Sequence, residues 1–239
     1  MKLVSINIPV YNEEEIIARN TEILKTFMDD LGVEYEILII DNGSTDKTAI
    51  FGKELQNKYP QIRFFSIPQR GVGLAFKKAV TEAKHNHIIS IDMDLSADLS
   101  FIKEANTLLN DYTLVIGSKI MGSQKRSLFR RLGSNIYIRL AQWLLGLGFH
   151  DYSIGAKGFK KDFVMEHLNY VDDHTNYVLN LSYCAAKKGL MTIEIPIDCV
   201  DYRKSRFNLL REGVYRFFML FKFAVTKRVD NNSGNPDHC

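Results

Sequence analysis

The stretch Ile88-Ile89-Ser90-Ile91-Asp92-Met93-Asp94 decides how this chain is read. A run of β-formers ends in two carboxylates one residue apart. Strand side chains alternate faces, so Asp92 and Asp94 are expected on one side with Met93 on the other. Two hard oxygen donors at a strand end can seat Mg²⁺ or Mn²⁺, ions often shared with substrate phosphates. Asp-x-Asp also occurs in ordinary loops, so its meaning depends on context.

Upstream, strand-like runs alternate with helical ones. Leu3–Pro9, Glu36–Asp41, Ile62–Ile67, His87–Asp92 and Leu114–Gly117 read as strands. Glu13–Leu31, Asp46–Tyr59, Gly73–Lys84 and Ser100–Asn110 read as helices. This order predicts an α/β fold, a mostly parallel sheet with helices on both faces. Ligands of such sheets bind outside the carboxyl ends of the strands. The polar clusters fall there: Tyr11-Asn12-Glu13, Asp41 to Asp46, Arg70-Gly71, and Asp92-Met93-Asp94.

Downstream, Leu128–Leu147 and Asn176–Lys188 read as helices, and Leu190–Ile197 as a late strand. Pro196 suggests that this strand lies at an edge. Val214–Val225 is apolar apart from Arg216 and Lys222, too short and too charged to span a bilayer. With Lys204, Arg211 and Lys222 on one stripe, it resembles a helix lying in the headgroup plane. Packing against the sheet is the competing reading. The expected division is a catalytic domain over 1–205, an amphipathic helix over 206–228 and a flexible tail over 229–239.

Bulk composition narrows the class. Apolar content of 46% is that of an ordinary globular protein. The start of the chain reads as a strand, without a signal peptide's pattern. Cys184, Cys199 and Cys239 fit neither a disulfide framework nor a zinc spacing, so a cytoplasmic location is expected. The net charge of +3 is unevenly spread. Ser118–His150 contains no acid, and Tyr202–Arg228 contains only Glu212, while both segments are rich in Lys and Arg. Basic segments mixed with aromatics suggest an anionic partner or a membrane surface; each could also be a solvated helix face.

Asp41 follows Ile37-Leu38-Ile39-Ile40 and opens a turn at Gly43. A carboxylate there can accept a hydrogen bond from a nucleobase N–H. Ser44 or Thr45 could cap the following helix, and Asp46 reads as a turn or cap residue. Arg70-Gly71-Val72-Gly73 opens a helix, where glycines allow close approach and the N-terminus favours an anion. The full G-x-G-x-x-G pattern is missing, which argues against a nicotinamide cofactor.

Together these clusters resemble the family 2 glycosyltransferases of the GT-A fold. The matching residues are Ile8 to Glu14, Ile40 to Thr48, Arg70 to Ala75, and Asp92-Met93-Asp94. The second half looks most like the polyprenyl-phosphate (dolichyl-phosphate) mannose and glucose synthases. Its carriers are Gly117-Ser118-Lys119, Arg130 to Asn135, Asp151 to Phe159, Glu194 to Ile197, and Arg203 to Arg206. Departures are Lys119 for an arginine, Ala156 for an aromatic, Lys204-Ser205-Arg206 for G-x-S-K, and Asn180 where an acid is common. The resemblance implies a donor site of Pro9, Tyr11, Glu13, Asp41, Arg70, Gly71 and Asp92. It implies Mg²⁺ or Mn²⁺ at Asp92, Asp94 and Ser96, and catalytic roles for Asp94, Lys119 and Arg131. An acceptor site of Arg130, Arg131, Ser134, Arg203, Ser205 and Arg206 completes the set.

The acceptor can also be argued chemically. Transfer to an alcohol needs a general base. The family's usual acid pair is not visible; Tyr177-Val178 stands there, with Asp172 and Asp173 nearby as substitutes. A phosphate monoester, with a second pKa of about 6, is already anionic and needs cations instead. The expectation is an inverting hexose transfer from a UDP- or GDP-sugar to a polyprenyl phosphate, at the cytoplasmic membrane surface, without nucleic acid. Transfer to a sugar hydroxyl is the nearest alternative. A nucleotidyltransferase would show a basic, Gly-rich loop after the first strand. A non-catalytic nucleotide-sugar binding module has only Asn180 in its favour.

Overall fold

The computed structural model describes residues 3–119, 128–152, 154–199 and 209–233, with backbone alone for 128–135, 209–212 and 226–233. Seven strands form one sheet: β1 Val4–Val10, β2 Tyr35–Asn42, β3 Ile62–Ile67, β4 His87–Ser90, β5 Leu114–Ser118, β6 Lys157–Lys160 and β7 Thr192–Pro196. Their order is β3-β2-β1-β4-β6-β5-β7. All run parallel except β6, which pairs antiparallel with β4 and β5. The sequence reading omitted β6. Lys157-Gly158-Phe159-Lys160 is too short and too polar to show a strand's alternation. β7 takes the edge that Pro196 predicts.

The chain steps from β1 outward to β2 and β3, then returns to β4 on the other side of β1. α1 (Ile17–Asp30) and α2 (Thr48–Lys58) make the outward crossovers and α3 (Val72–Glu82) the return. With right-handed crossovers, that reversal carries α3 to the opposite face. α1 seats Ile17, Thr21, Leu24 and Met28 on the core, one stripe of a 3.6-residue period. α3 seats Phe76, Ala79 and Val80. β2, covered on both faces, is buried along its whole length.

α4 (Ser100–Leu108) covers β4, β5 and β6; α5 is Leu128–Leu145, α6 Lys161–Glu166 and α7 Tyr177–Lys187. α8 runs from Leu209 to Ser233, past the boundary at 228 expected from sequence. It packs on α5, with Leu220 and Ala224 buried and the Phe217 and Phe223 rings against Tyr137 and Tyr183. Among the described residues no helix is long and apolar enough to cross a membrane.

The strand order reverses between β1 and β4, which opens a crevice at their carboxyl ends. Pro9 enlarges it. Asn7 uses its carbonyl on Ile91 of the β4 side, and residues of a parallel strand address alternate neighbours. Pro9 shares Asn7's parity, so the donor it lacks is the next one that side would have met. Regular β1–β4 pairing stops at Asn7–Ser90, leaving the following residues free to turn.

Candidate active site

β4 therefore ends at Ser90, and Asp92 to Leu95 is a turn closed by Leu95 N–H on the Asp92 carbonyl at 3.1 Å. The two carboxylates share a side because of this turn, not because of strand pleating as the sequence suggested. Leu95 adopts φ +50°, a strained backbone for a branched side chain. Met93 is buried, its carbonyl accepting from Asn20 Nδ2 at 3.0 Å. Ser96 donates its backbone N–H to Asp94 Oδ1 at 3.0 Å. Through this amide Ser96 fixes Asp94.

Asp92 opens to water along the mouth of the crevice and is walled by protein elsewhere. Those walls push its pKa up, and the Asp94 charge adds to them; Lys157 and Lys119 act the other way. A Cβ on Gly155 would overlap the Asp92 carboxylate, so only glycine leaves it room. Two crowded carboxylates at a crevice mouth fit a divalent cation. No group of three or more His, Cys, Asp or Glu among the described residues could hold one. An ion here would draw its other ligands from water and from a substrate, a habit of Mg²⁺.

On the β1–β3 side the predicted donor residues come together. Arg70 lies 4.0 Å from the Tyr11 ring centroid, a cation–π contact joining the β1 and β3 loops. Asn12, at φ +54°, accepts from Thr45 N–H at 2.8 Å, and Glu13 N–H donates to Thr48 Oγ1 at 2.7 Å. Glu13 also raises the pKa of Asp92, which places its charge toward the carboxylate pair. Asp41 is buried; it accepts from Ser44 N–H at 3.0 Å and Ser66 Oγ at 2.7 Å. Its turn role is therefore filled, with lone pairs remaining on each oxygen. Asp46 accepts from Thr48 N–H at 2.9 Å, a turn at the entry to α2, whose N-cap residue is Lys47. Ser44 does not cap α2; its hydroxyl accepts from Asn12 N–H at 2.9 Å.

The glycine turn before α3 corrects the sequence reading. Gly71 N–H is donated to Asn42 Oδ1 at 2.5 Å, and the Gly73 and Leu74 N–H groups to the Asp173 carbonyl at 3.1 and 3.3 Å. A Cβ at Gly73 would collide with the Asp172 carbonyl. The close approach that glycine permits is made by residues 172–174, not by an anion.

The same loop carries the two substitutes for a base, each already engaged. Asp173 pairs with Lys77 at 3.1 Å. Asp172 Oδ2 accepts from Tyr215 Oη at 2.7 Å and His174 N–H at 3.1 Å, while its Oδ1 is sealed without a partner. Asn180 is structural: it accepts from Asn176 Nδ2 at 2.9 Å and donates to the Tyr170 carbonyl at 2.8 Å. This removes the one hint of a non-catalytic module.

Beyond β4 stands a group that the sequence reading included in the Asp151 to Phe159 stretch without giving it a role. Lys157, on β6 opposite Ser90, is 6% exposed with Nζ 5.5 Å from the Tyr177 ring centroid. Burial lowers its pKa to about 8, against the pull of Asp92; Arg216 lowers it further. Burial, with Asp92 and Asp172, pushes the Tyr177 phenol above its usual range. Lys119 faces the same region, its backbone N–H on Asp151 Oδ2 at 3.4 Å. Glu194 holds the 150–151 loop through the His150 and Asp151 N–H groups at 2.9 and 2.8 Å. Of the acceptor residues named from sequence, Arg130, Arg131 and Ser134 lie on α5 where the backbone alone is described. Arg203, Ser205 and Arg206 lie outside the described residues, as does Lys204.

The family model described as Glycosyl transferase family 2 matches residues 5–168. The chain belongs to glycosyl transferase family 2. It is an enzyme of the GT-A fold. Glucosyl-3-phosphoglycerate synthase from Mycobacterium tuberculosis, in complex with Mn²⁺ and UDP-glucose, superposes with a TM-score of 0.66 at 14% identity, over 93% of this chain and 78% of that one. Mannosyl-3-phosphoglycerate synthase from Rubrobacter xylanophilus gives 0.64 at 12% identity, over 99% and 76%. At these identities the likeness is one of fold.

Proposed function

We propose that this glycosyltransferase moves a hexosyl group from a nucleoside diphosphate sugar to a polyprenyl phosphate at a membrane surface. α8 carries the reading. One face of it is tied to the site loop through Tyr215 on Asp172 and Arg216 Nε on Thr175 Oγ1 at 3.3 Å. The other presents Val214, Phe218, Phe221 and Val225, all exposed and spaced four, three and four residues apart. Trp143, 76% exposed, adds to the apolar surface from α5, against which α8 packs. An acceptor with an anionic head and an apolar tail suits a helix so divided, and membranes take up such faces.

In this reading Tyr11, Arg70 and Asp41 hold the nucleotide, with Pro9, Glu13 and Gly71 shaping the loops around it. Asp92 and Asp94 hold Mg²⁺ or Mn²⁺, which when bound offsets charge on the departing nucleoside diphosphate. The acceptor phosphate oxygen forms a bond to the anomeric carbon from the face opposite the leaving group. The bond from that carbon to the diphosphate oxygen breaks, and its electron pair leaves with the diphosphate. No base is required, because the phosphate arrives as an anion. Lys119 and Arg131, with Arg130, Ser134, Arg203, Ser205 and Arg206, would position it.

A second reading, a soluble phosphate monoester as acceptor, is favoured by the phosphoglycerate synthases of like fold. Labelled UDP- or GDP-hexose with Mn²⁺ should be offered a short polyprenyl phosphate in detergent and 3-phosphoglycerate at equal concentration. Label in the organic phase is expected. Label in a water-soluble phosphoglycerate product would favour the second reading, and label transferred to neither acceptor would overturn both.

A further inference from the structure

Lys157 is 6% exposed as a residue, its Nζ is not sealed from solvent, and that group makes no hydrogen bond or ion pair with a described residue; its close contact is the Tyr177 ring. Such a group is costly to bury unless something anionic meets it. Asp92 does not fill that role directly, since no ion pair forms between them. Tyr177, 4% exposed, likewise makes no side-chain hydrogen bond with a described residue. The charges of Lys119 and Arg216 bear on the same place. Lys157 and Lys119, from β6 and the end of β5, thus bear on Asp92, and Arg216 of α8 bears on Lys157. Lys157 and Lys119 lie across β4 from the Tyr11, Arg70 and Asp41 loops, because β6 and β5 are on the side of β4 away from β1, while Arg216 comes in beside the 172–175 loop.

We propose that Lys157, with Arg216 and Lys119, forms an anion seat on the β6 side of Asp92 that holds the phosphate monoester of the acceptor. This rests on the phosphate-acceptor reading above and names the groups that would recognise it. A lipid phosphate and a soluble phosphate ester carry the same chemistry to the seat. They differ in the group that the phosphate esterifies, which α8 would meet.

The test is calorimetric binding of geranyl phosphate and of 3-phosphoglycerate to the full chain with Mn²⁺ and UDP or GDP. The variants are Lys157→Met, Lys157→Arg and Arg216→Met, each first checked by thermal melt. Lys157→Met should weaken binding of the preferred monoester by about ten- to a hundredfold, the loss of one charge-assisted contact. Lys157→Arg should restore part of it, and nucleotide binding should not move. The Met variant should melt no lower than the parent, since an unpaired buried charge is gone. Tighter geranyl phosphate binding would assign the seat to a lipid head, tighter 3-phosphoglycerate binding to a soluble ester. Equal monoester binding by parent and Lys157→Met would overturn the seat, leaving Lys157 as a balance for Asp92. Failure of the parent to bind either monoester would overturn the seat and the phosphate-acceptor reading together. If Lys157→Met unfolds, Arg216→Met decides by the same comparison.

Discussion

Asp92 and Asp94 sit just past the end of β4, and Gly155 is what leaves Asp92 room there. Asp94→Ala should abolish transfer and Asp92→Ala severely impair it. Chelation should do the same, with recovery on adding Mn²⁺ or Mg²⁺; full turnover in excess EDTA would refute the metal's role. Gly155→Ala gives a finer test. Its Cβ would displace only a side-chain carboxylate, so the melting temperature should stay within a few degrees while transfer falls. Gly73→Ala should differ: helix propensity gains about 1 kcal/mol, but the collision is with the Asp172 backbone, so a lower melting temperature is expected. Asp41→Ala should raise the donor KM more than it lowers kcat, because a nucleobase contact is made equally in ground and transition states. An unchanged KM with a reduced kcat would contradict that role. These acidic residues were legible in the sequence because strand-end carboxylates stand out against apolar runs. Lys157 was not: a lysine in a four-residue polar stretch reads as surface, and only the insertion of β6 beside β4 buries it.

At the scale of elements, α8 is both core and surface. Deleting Val214–Cys239 would strip Leu220 and Ala224 from the interior and unfold what it means to test. The double substitution Phe218→Ser with Phe221→Ser spares that face. It should lower co-sedimentation with anionic liposomes by about tenfold or more, given roughly 1.5–3 kcal/mol per apolar side chain buried, with little change in melting temperature. Unaltered sedimentation would remove the membrane reading. β2 carries a separate prediction at its amino end, far along the strand from Asp41. Glu36 accepts from Lys84 N–H at 2.6 Å, Arg63 Nη1 at 2.8 Å and Ser5 Oγ at 2.7 Å. Burial raises its pKa, but these bonds together outweigh it and hold the carboxyl below its usual value. A depressed carboxylate stabilises the fold above its unfolded pKa, about 4.3, and that stability is lost as pH falls through the lower folded value. Glu36→Ala should cost about 2–4 kcal/mol near neutrality, with Arg63 left half-paired. The gap between parent and variant in urea melts should narrow as pH drops below 4. A gap independent of pH would mean that packing alone is involved. Helix boundaries were largely legible from apolar stripes. The 172–175 loop was not, because what it does depends on contacts with α3 and α8, about a hundred residues before it and forty after.

Across the whole molecule, the order β3-β2-β1-β4-β6-β5-β7 sets two half-sites on either side of β4. The alternation of strands and helices predicted the parallel half, and with it the nucleotide side. The antiparallel insertion could not be read locally, since β6 is recognisable only by its partners on both flanks. The uneven charge had suggested an anionic partner, a membrane surface or a solvated helix face; beside Asp92 the structure sets Lys119 from β5's end and Lys157 from β6. The central claim is that the acceptor's nucleophile is a phosphate oxygen. Phosphorus and proton NMR of the product from an α-linked nucleoside diphosphate hexose, Mn²⁺ and a short polyprenyl phosphate tests it most directly. The account predicts a glycosyl phosphodiester of inverted, β configuration, with one nucleoside diphosphate released for each. A product that retains its phosphate monoester and carries the sugar on a hydroxyl would contradict it.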